Sequence, residues 1–133
     1  MNIGEKQIIV SEKDIDGLNH VNNSVYLNYL ESGREAWYIK YAGYSYDDFH
    51  RNNLGTVVLR IDIMYKKEAV IHDQLQVITI PKELGNTSFV FEQKIMNQNE
   101  EVVCEATITK VMIDLTTRKS RPVIEEIARN FRQ

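Results

Sequence analysis

Asp14-Ile15-Asp16-Gly17-Leu18-Asn19-His20-Val21-Asn22-Asn23 runs directly into the one long helical pattern of the chain, and the reading of that junction decides the fold. From about Asn23 to Ala42, Tyr26, Leu30, Gly33, Trp37 and Tyr41 recur at helical spacing. Leu27 widens the stripe, and Asn28, Glu31, Arg34 and Glu35 fall elsewhere. Asn22 or Asn23 suits the N-cap. Gly33 costs about 1 kcal/mol against alanine in a helix interior, so its place on the apolar stripe predicts a backbone packed close against another element. A sheet wrapped around the helix meets that requirement.

Working outward, Gln7 to Val10 is a short apolar run suited to a strand, and Ser11 to Asn22 is a polar, ordered loop containing Gly17. Beyond the helix a polar connector ends near Asn53, and the period changes from helical to alternating. Val57, Leu59, Ile61, Ile63 and Tyr65 alternate with Val58, Arg60, Asp62 and Met64, predicting a long strand with one strongly apolar face. Three further strands are predicted: Gln74 to Pro81, Ser88 to Met96 after the Gly85-Asn86 turn, and Glu101 to Leu115 after Asn97-Gln98-Asn99-Glu100. Pro122 opens a final segment in which Ile124, Ile127, Ala128 and Phe131 share a face, a short amphipathic helix. The order is strand, long helix, four strands, short helix, which makes the fold α+β. The helix is apolar on several sides and the sheet has edges to protect, so a symmetric dimer that joins sheets is expected.

At 133 residues and 15.5 kDa the chain fits one domain, 1–133, large enough to bury a core without disulfides or a structural metal. A net charge of −3 gives no general attraction to nucleic acid or anionic membrane. Cys104 is the only cysteine, which leaves no intrachain disulfide and no Cys/His metal spacing, and a reducing cytoplasm is the natural setting. No stretch of apolar residues is long enough to span a bilayer, and no metal or redox cofactor is implied.

The loop carries the chemistry. Carboxylates, an imidazole and amides stand beside a helix N-terminus, whose free N–H groups and positive partial charge stabilise an oxygen that gains negative charge. The run Asp14-Ile15-Asp16, His20-Val21-Asn22-Asn23, Tyr26-Leu27, Leu30-Glu31 and Arg34 resembles the hot-dog fold thioesterases of the 4-hydroxybenzoyl-CoA thioesterase-like family, and is also similar to plant acyl-ACP thioesterases. Weaker landmarks extend the likeness from about Gln7 to Pro122. The resemblance implies an antiparallel sheet wrapped around one long central helix. It implies an acyl-CoA thioester hydrolase working as a dimer or dimer of dimers, on a thioester carried by CoA or by an acyl carrier protein. It also implies roles: Asp16 as nucleophile or as general base on a water, the backbone N–H of Asn23 as donor to the thioester carbonyl, and His20 and Asn22 as residues that order the loop or touch substrate. Related sequences commonly carry Asn two residues after the catalytic Asp and Gly before the His; here these positions are Leu18 and Asn19.

Each assignment has a plainer alternative. Asp16 in an Asx-turn would close the loop without chemistry. Asp14 reads as structural, accepting loop N–H bonds or tuning Asp16, and His20 is either a general acid or a holder of the loop. Glu31 and Arg34 read as a local ion pair. Tyr26 joins the expected substrate wall. Lys66-Lys67 and, in Arg118-Lys119-Ser120-Arg121, Arg118 and Arg121 are the local positive charges that could meet CoA phosphates or simply be solvated. His50 and His72 read as solvated, Cys104 as a buried thiol, and the aromatic residues Trp37 to Phe49 as core or interface. Two rival functions remain open on sequence: a hot-dog enoyl-thioester hydratase or dehydratase, and a non-catalytic acyl-thioester-binding module.

Overall fold

A computed structural model describes residues 1–132. Strand β1 (Gly4–Ile9) leads through a 3₁₀ turn at Glu12–Asp14 to α1 (Asn23–Trp37), then come α2 (Tyr46–Arg51), β2 (Leu54–Tyr65), β3 (Gln74–Leu84), β4 (Ser88–Met96), β5 (Val102–Asp114) and α3 (Glu125–Ala128). The five strands form one antiparallel sheet in the order β1-β3-β4-β5-β2. The short β3–β4 and β4–β5 turns put those strands side by side, and the helix lies on the sheet's inner face. No helix among the described residues is long and apolar enough to cross a membrane.

Gly33 sets the distance between helix and sheet. A Cβ there would lie 2.5 Å from Val77 Cγ1 of β3, so the close approach expected from the sequence is present. The first half of α1 packs Tyr26, Tyr29 and Leu30 onto Leu75, Ile95 and Ile108. Its end places Trp37, and the turn that follows places Tyr38, among Phe89, Phe91, Met112 and Ile127. The α-helical part stops at Trp37, five residues short of the predicted end, because Tyr38–Ala42 continue as a wider π-helical turn closed by Gly43 at φ 78°.

Three further expectations change. The polar connector contains α2, started by a reciprocal capping box between Ser45 and Asp48. The simple alternation along β2 breaks at a bulge: Val58 opposes Lys110 and Arg60 opposes Thr109, which leaves Leu59 extra. Val58, and not Val57 or Leu59, therefore shares the inner face with Ile61, Ile63 and Tyr65, since a one-residue insertion flips every side chain before it. Val57, Val58, Leu59, Met64 and Tyr65 of this edge strand are exposed. Finally, Arg34 pairs with no carboxylate among the described residues. It is buried, and its Nη1 donates to Gln93 Oε1 at 3.0 Å, while Gln93 Nε2 donates to Leu30 O and Thr79 Oγ1. The expected Glu31–Arg34 ion pair is replaced by this interior network because Arg34 points at the sheet.

Candidate active site at the N-terminus of the long helix

The loop from residue 14 to 22 is closed largely by its own hydrogen bonds. Asp16 N–H donates to His20 O and Asn19 N–H to Asp16 O, with Asn19 in the left-handed region at φ 64°. Asp14 Oδ2 accepts from Tyr29 Oη at 2.8 Å and from Ser11 N and Oγ at 3.2 Å, while the Asp14 carbonyl accepts from Asn22 N–H. Burial works against the charged form of Asp14, yet the Tyr29 and Ser11 bonds outweigh it and hold the carboxyl below its ordinary range. Asp14 is thus the structural partner of the loop, and Tyr29, one turn and a half into α1, ties the loop to the helix.

Asp16 does make the Asx-turn: its Oδ1 accepts from Leu18 N–H at 2.8 Å. That contact occupies one oxygen only. Oδ2 lies 3.7 Å from His20 Nδ1, and the two side chains are 27% and 24% exposed, so neither is sealed in the core. His20 Nδ1 is also 3.2 Å from Val21 O, and Nε2 is 4.0 Å from Glu68 Oε2. The imidazole stands between two carboxylates.

Asn22 is the N-cap of α1. Its Oδ1 accepts from Ser24 N–H and Ser24 Oγ, and its carbonyl accepts from Val25 N–H. These bonds use the donors of residues 24 and 25 and leave the Asn23 N–H unengaged among the described residues, at the positive end of the helix dipole. The Asn22 side chain is spent on the cap.

His20, Asn23, Tyr26, Lys66 and Lys67 line one cleft of about 210 Å³, with Tyr65 and Glu68. Tyr26 Oη accepts from Ala69 N–H, and Tyr65 Oη donates to Asn23 O, so the end of β2 and the segment after it are strapped to the first turn of α1. Lys66 and Lys67 form half-exposed ion pairs with Glu105 at 3.2 Å and Glu101 at 3.1 Å. Asp16 does not line this cleft; its Oδ2 approaches it only as the neighbour of His20, 3.7 Å from Nδ1. Two of the candidate residues lie elsewhere. Arg118 lines a second cleft of about 250 Å³ with Tyr46, Phe49 and His50, and Arg121 Nε donates to Pro122 O. Glu68 belongs to the cleft but carries no sequence signal of its own, since only tertiary pairing brings it to the loop; Tyr65 stands on the apolar face of the predicted long strand.

Residues 10–131 match the model of the thioesterase-like superfamily. The chain belongs to that superfamily. It is 33% identical over 130 residues to the long-chain acyl-CoA thioesterase FadM of Escherichia coli strain K12, covering 97% of each chain. It is 25% identical over 121 residues to the acyl-CoA thioester hydrolase YbgC of Escherichia coli O157:H7, covering 91% of this chain and 90% of that one. Among solved structures it superposes on Slr0204, a 1,4-dihydroxy-2-naphthoyl-CoA thioesterase from Synechocystis, with a TM-score of 0.88, 18% identity and coverage of 97% and 95%, a likeness that bears on the fold alone. The chain is a thioester hydrolase with the hot-dog fold, a five-stranded antiparallel sheet with α1 as its long central helix.

Proposed function

We propose that the protein hydrolyses acyl-CoA thioesters, with Asp16 directing attack on the carbonyl carbon and the Asn23 N–H receiving the carbonyl oxygen. The observation that carries this reading is an unengaged amide at the start of α1 in the same cleft as His20, whose Nδ1 lies 3.7 Å from the free oxygen of Asp16. Charge that develops on the carbonyl oxygen is met by a donor already in place, which lowers the barrier without reorganisation. Attack by water, or by the carboxylate with water following, gives a tetrahedral intermediate. Its collapse breaks the C–S bond, and the products are the carboxylic acid and the free thiol. A thiolate leaves readily, so one carboxylate and a backbone donor suffice. His20 keeps Asp16 Oδ2 aimed, and Lys66 and Lys67 supply charge for the CoA phosphates.

Both FadM and YbgC are named for acyl-CoA substrates, which favours CoA over an acyl carrier protein. The exposed apolar residues of β2 favour a second copy paired along that edge, as a homodimer in the cytoplasm.

Thiol release over a panel of acyl-CoA esters tests the reading, with a protein-only control for Cys104. In Asp16→Asn the amide oxygen can still accept from Leu18 N–H, so the fold is kept and turnover falls roughly a hundred- to ten-thousand-fold. Wild-type turnover in that variant removes the assignment. Water addition to crotonyl-CoA without thiol release identifies a hydratase, and acyl-CoA binding without turnover identifies a binding module.

A further inference from the structure

The second cleft lies at the start of β2, the opposite end of that strand from Tyr65 and the cleft of His20 and Asn23, and the two clefts share no lining residue. Its volume is about 250 Å³. Phe49 of α2, Val57 of β2 and Ile113 and Leu115 at the close of β5 give it apolar walls. The last two fold over Gly55, where a Cβ would lie 3.0 Å from a carbon of each. Tyr46, Thr56, His50 and Arg118 supply the polar groups, and no carboxylate lines the cleft.

Arg118 is the one permanent charge on these walls, and neither it nor His50 forms an ion pair among the described residues. Two acids near them in sequence are engaged elsewhere. Asp114 Oδ1 accepts from the N–H groups of Thr116 and Thr117, and Asp48 pairs with Arg51 and closes the capping box of α2. The turn that carries Arg118 is held from several sides: Arg118 N–H donates to Asp114 O at 2.8 Å, Leu115 N–H to Asn53 O at 3.1 Å and Thr116 Oγ1 to Asn53 Oδ1 at 2.9 Å. Arg118 itself lies in the left-handed region at φ 61°, where glycine costs least and other residues are disfavoured. The turn alone would be served by glycine, and the arginine stands there against that preference.

We propose that this cleft binds a monocarboxylic acid with an apolar body, the carboxylate held by the Arg118 guanidinium and the body lying against Phe49, Val57, Ile113 and Leu115. Charge and room agree on that class. A guanidinium meets a carboxylate through two parallel N–H bonds, and the apolar walls gain by covering hydrocarbon. A cavity of about 150 Å³ holds benzene, so this one takes a single ring or a short chain together with its carboxylate. A nucleotide is the poorer match, because its several phosphate charges would face one fixed cation.

Benzoate is titrated into the isotope-labelled full chain at constant ionic strength, chloride being replaced, and backbone amide shifts are read by NMR. Saturable shifts of Phe49, Gly55, Thr56, Leu115 and Arg118 are expected, with His20 and Asn23 unmoved. Benzyl alcohol keeps the ring without the charge and acetate keeps the charge without the ring, so each binds at least fivefold more weakly. Arg118→Gly suits the left-handed backbone, keeps the fold, and weakens benzoate at least fivefold, while Arg118→Lys falls between. The proposal is overturned if benzoate moves only His20 and Asn23 or no amide at all, if any of these differences is smaller than stated, or if ADP moves the same amides at lower concentration than benzoate. No thioester enters the experiment, so its outcome stands apart from that of the acyl-CoA reading.

Discussion

The two ends of α1 solve opposite problems. At its start, polar groups a quarter exposed are satisfied over short sequence distances: Leu18 N–H closes on Asp16 and Ser24 on Asn22. At its far end, Arg34 is enclosed and finds its partner on Gln93, 59 residues away, and Lys110 donates to Thr56 O, 54 residues away. The first arrangement holds the Asp16 carboxylate with one oxygen fixed and one free at little cost in desolvation. The second encloses polar groups and two cations whose partners are distant in sequence. Local closure makes a site rigid, and distant closure makes it demanding.

The sharpest way to break that contrast is pH. Lys110 titrates near 8 in the folded chain against 10.5 when free, so between these values the unfolded chain binds more protons and stability rises with pH. The full shift corresponds to a gain on the order of 3 kcal/mol. Above pH 10 the buried tyrosines act in the opposite sense. Burial raises Tyr38 and Tyr29 above their free value, so the stability they contribute fades as pH climbs. Urea unfolding at pH 7.5 and 9.5 checks this: wild type is expected to gain stability, while Lys110→Met loses a little over the same range, because burial pushes the Cys104 thiol up from 9.0 to about 12; a wild type that follows the variant would make the two ends alike. Gly33→Ala probes the segment that joins them. Its Cβ would meet Val77 at 2.5 Å, and overpacking of this kind costs about 1–3 kcal/mol, read as a lower urea midpoint with an unchanged slope. The smallest effect belongs to Tyr29→Phe, which removes the bond to Asp14. It is expected to cost about 1 kcal/mol and to lower kcat a few-fold with KM unchanged, because only the loop that carries Asp16 loses a tie.

The same contrast explains what sequence could say. Asp16, His20 and Asn23 lie within one short run, so their proximity follows from the chain itself, and Ser88–Met96 keeps the predicted limits because Gly85-Asn86 and the Asn97 turn bound it. Gly33 stood on the apolar stripe and meets Val77 as that position required. α2 escaped notice although Ser45 and Asp48 carry a capping signature, because its remaining residues read as a polar connector. The Leu59 bulge has no mark in an alternating apolar run. Arg34, placed three residues from Glu31, invited a local pair; only the sheet supplies Gln93, 59 residues away. Arg118 looked like a companion of Lys66 and Lys67, yet β5 delivers it to the other cleft.

Trp37 is the sole indole of the chain. It has no solvent exposure, its Nε1 donates to Asn2 O, and Tyr38, Tyr41, Phe91 and Phe131 surround its ring. Its emission is therefore a gauge of one half of the molecule, the half that encloses Arg34 and Lys110, and loosening around the loop of residues 14–22 leaves it unchanged. Fluorescence melts paired with far-UV dichroism separate the two halves, and coincident curves mean that they unfold as one cooperative unit.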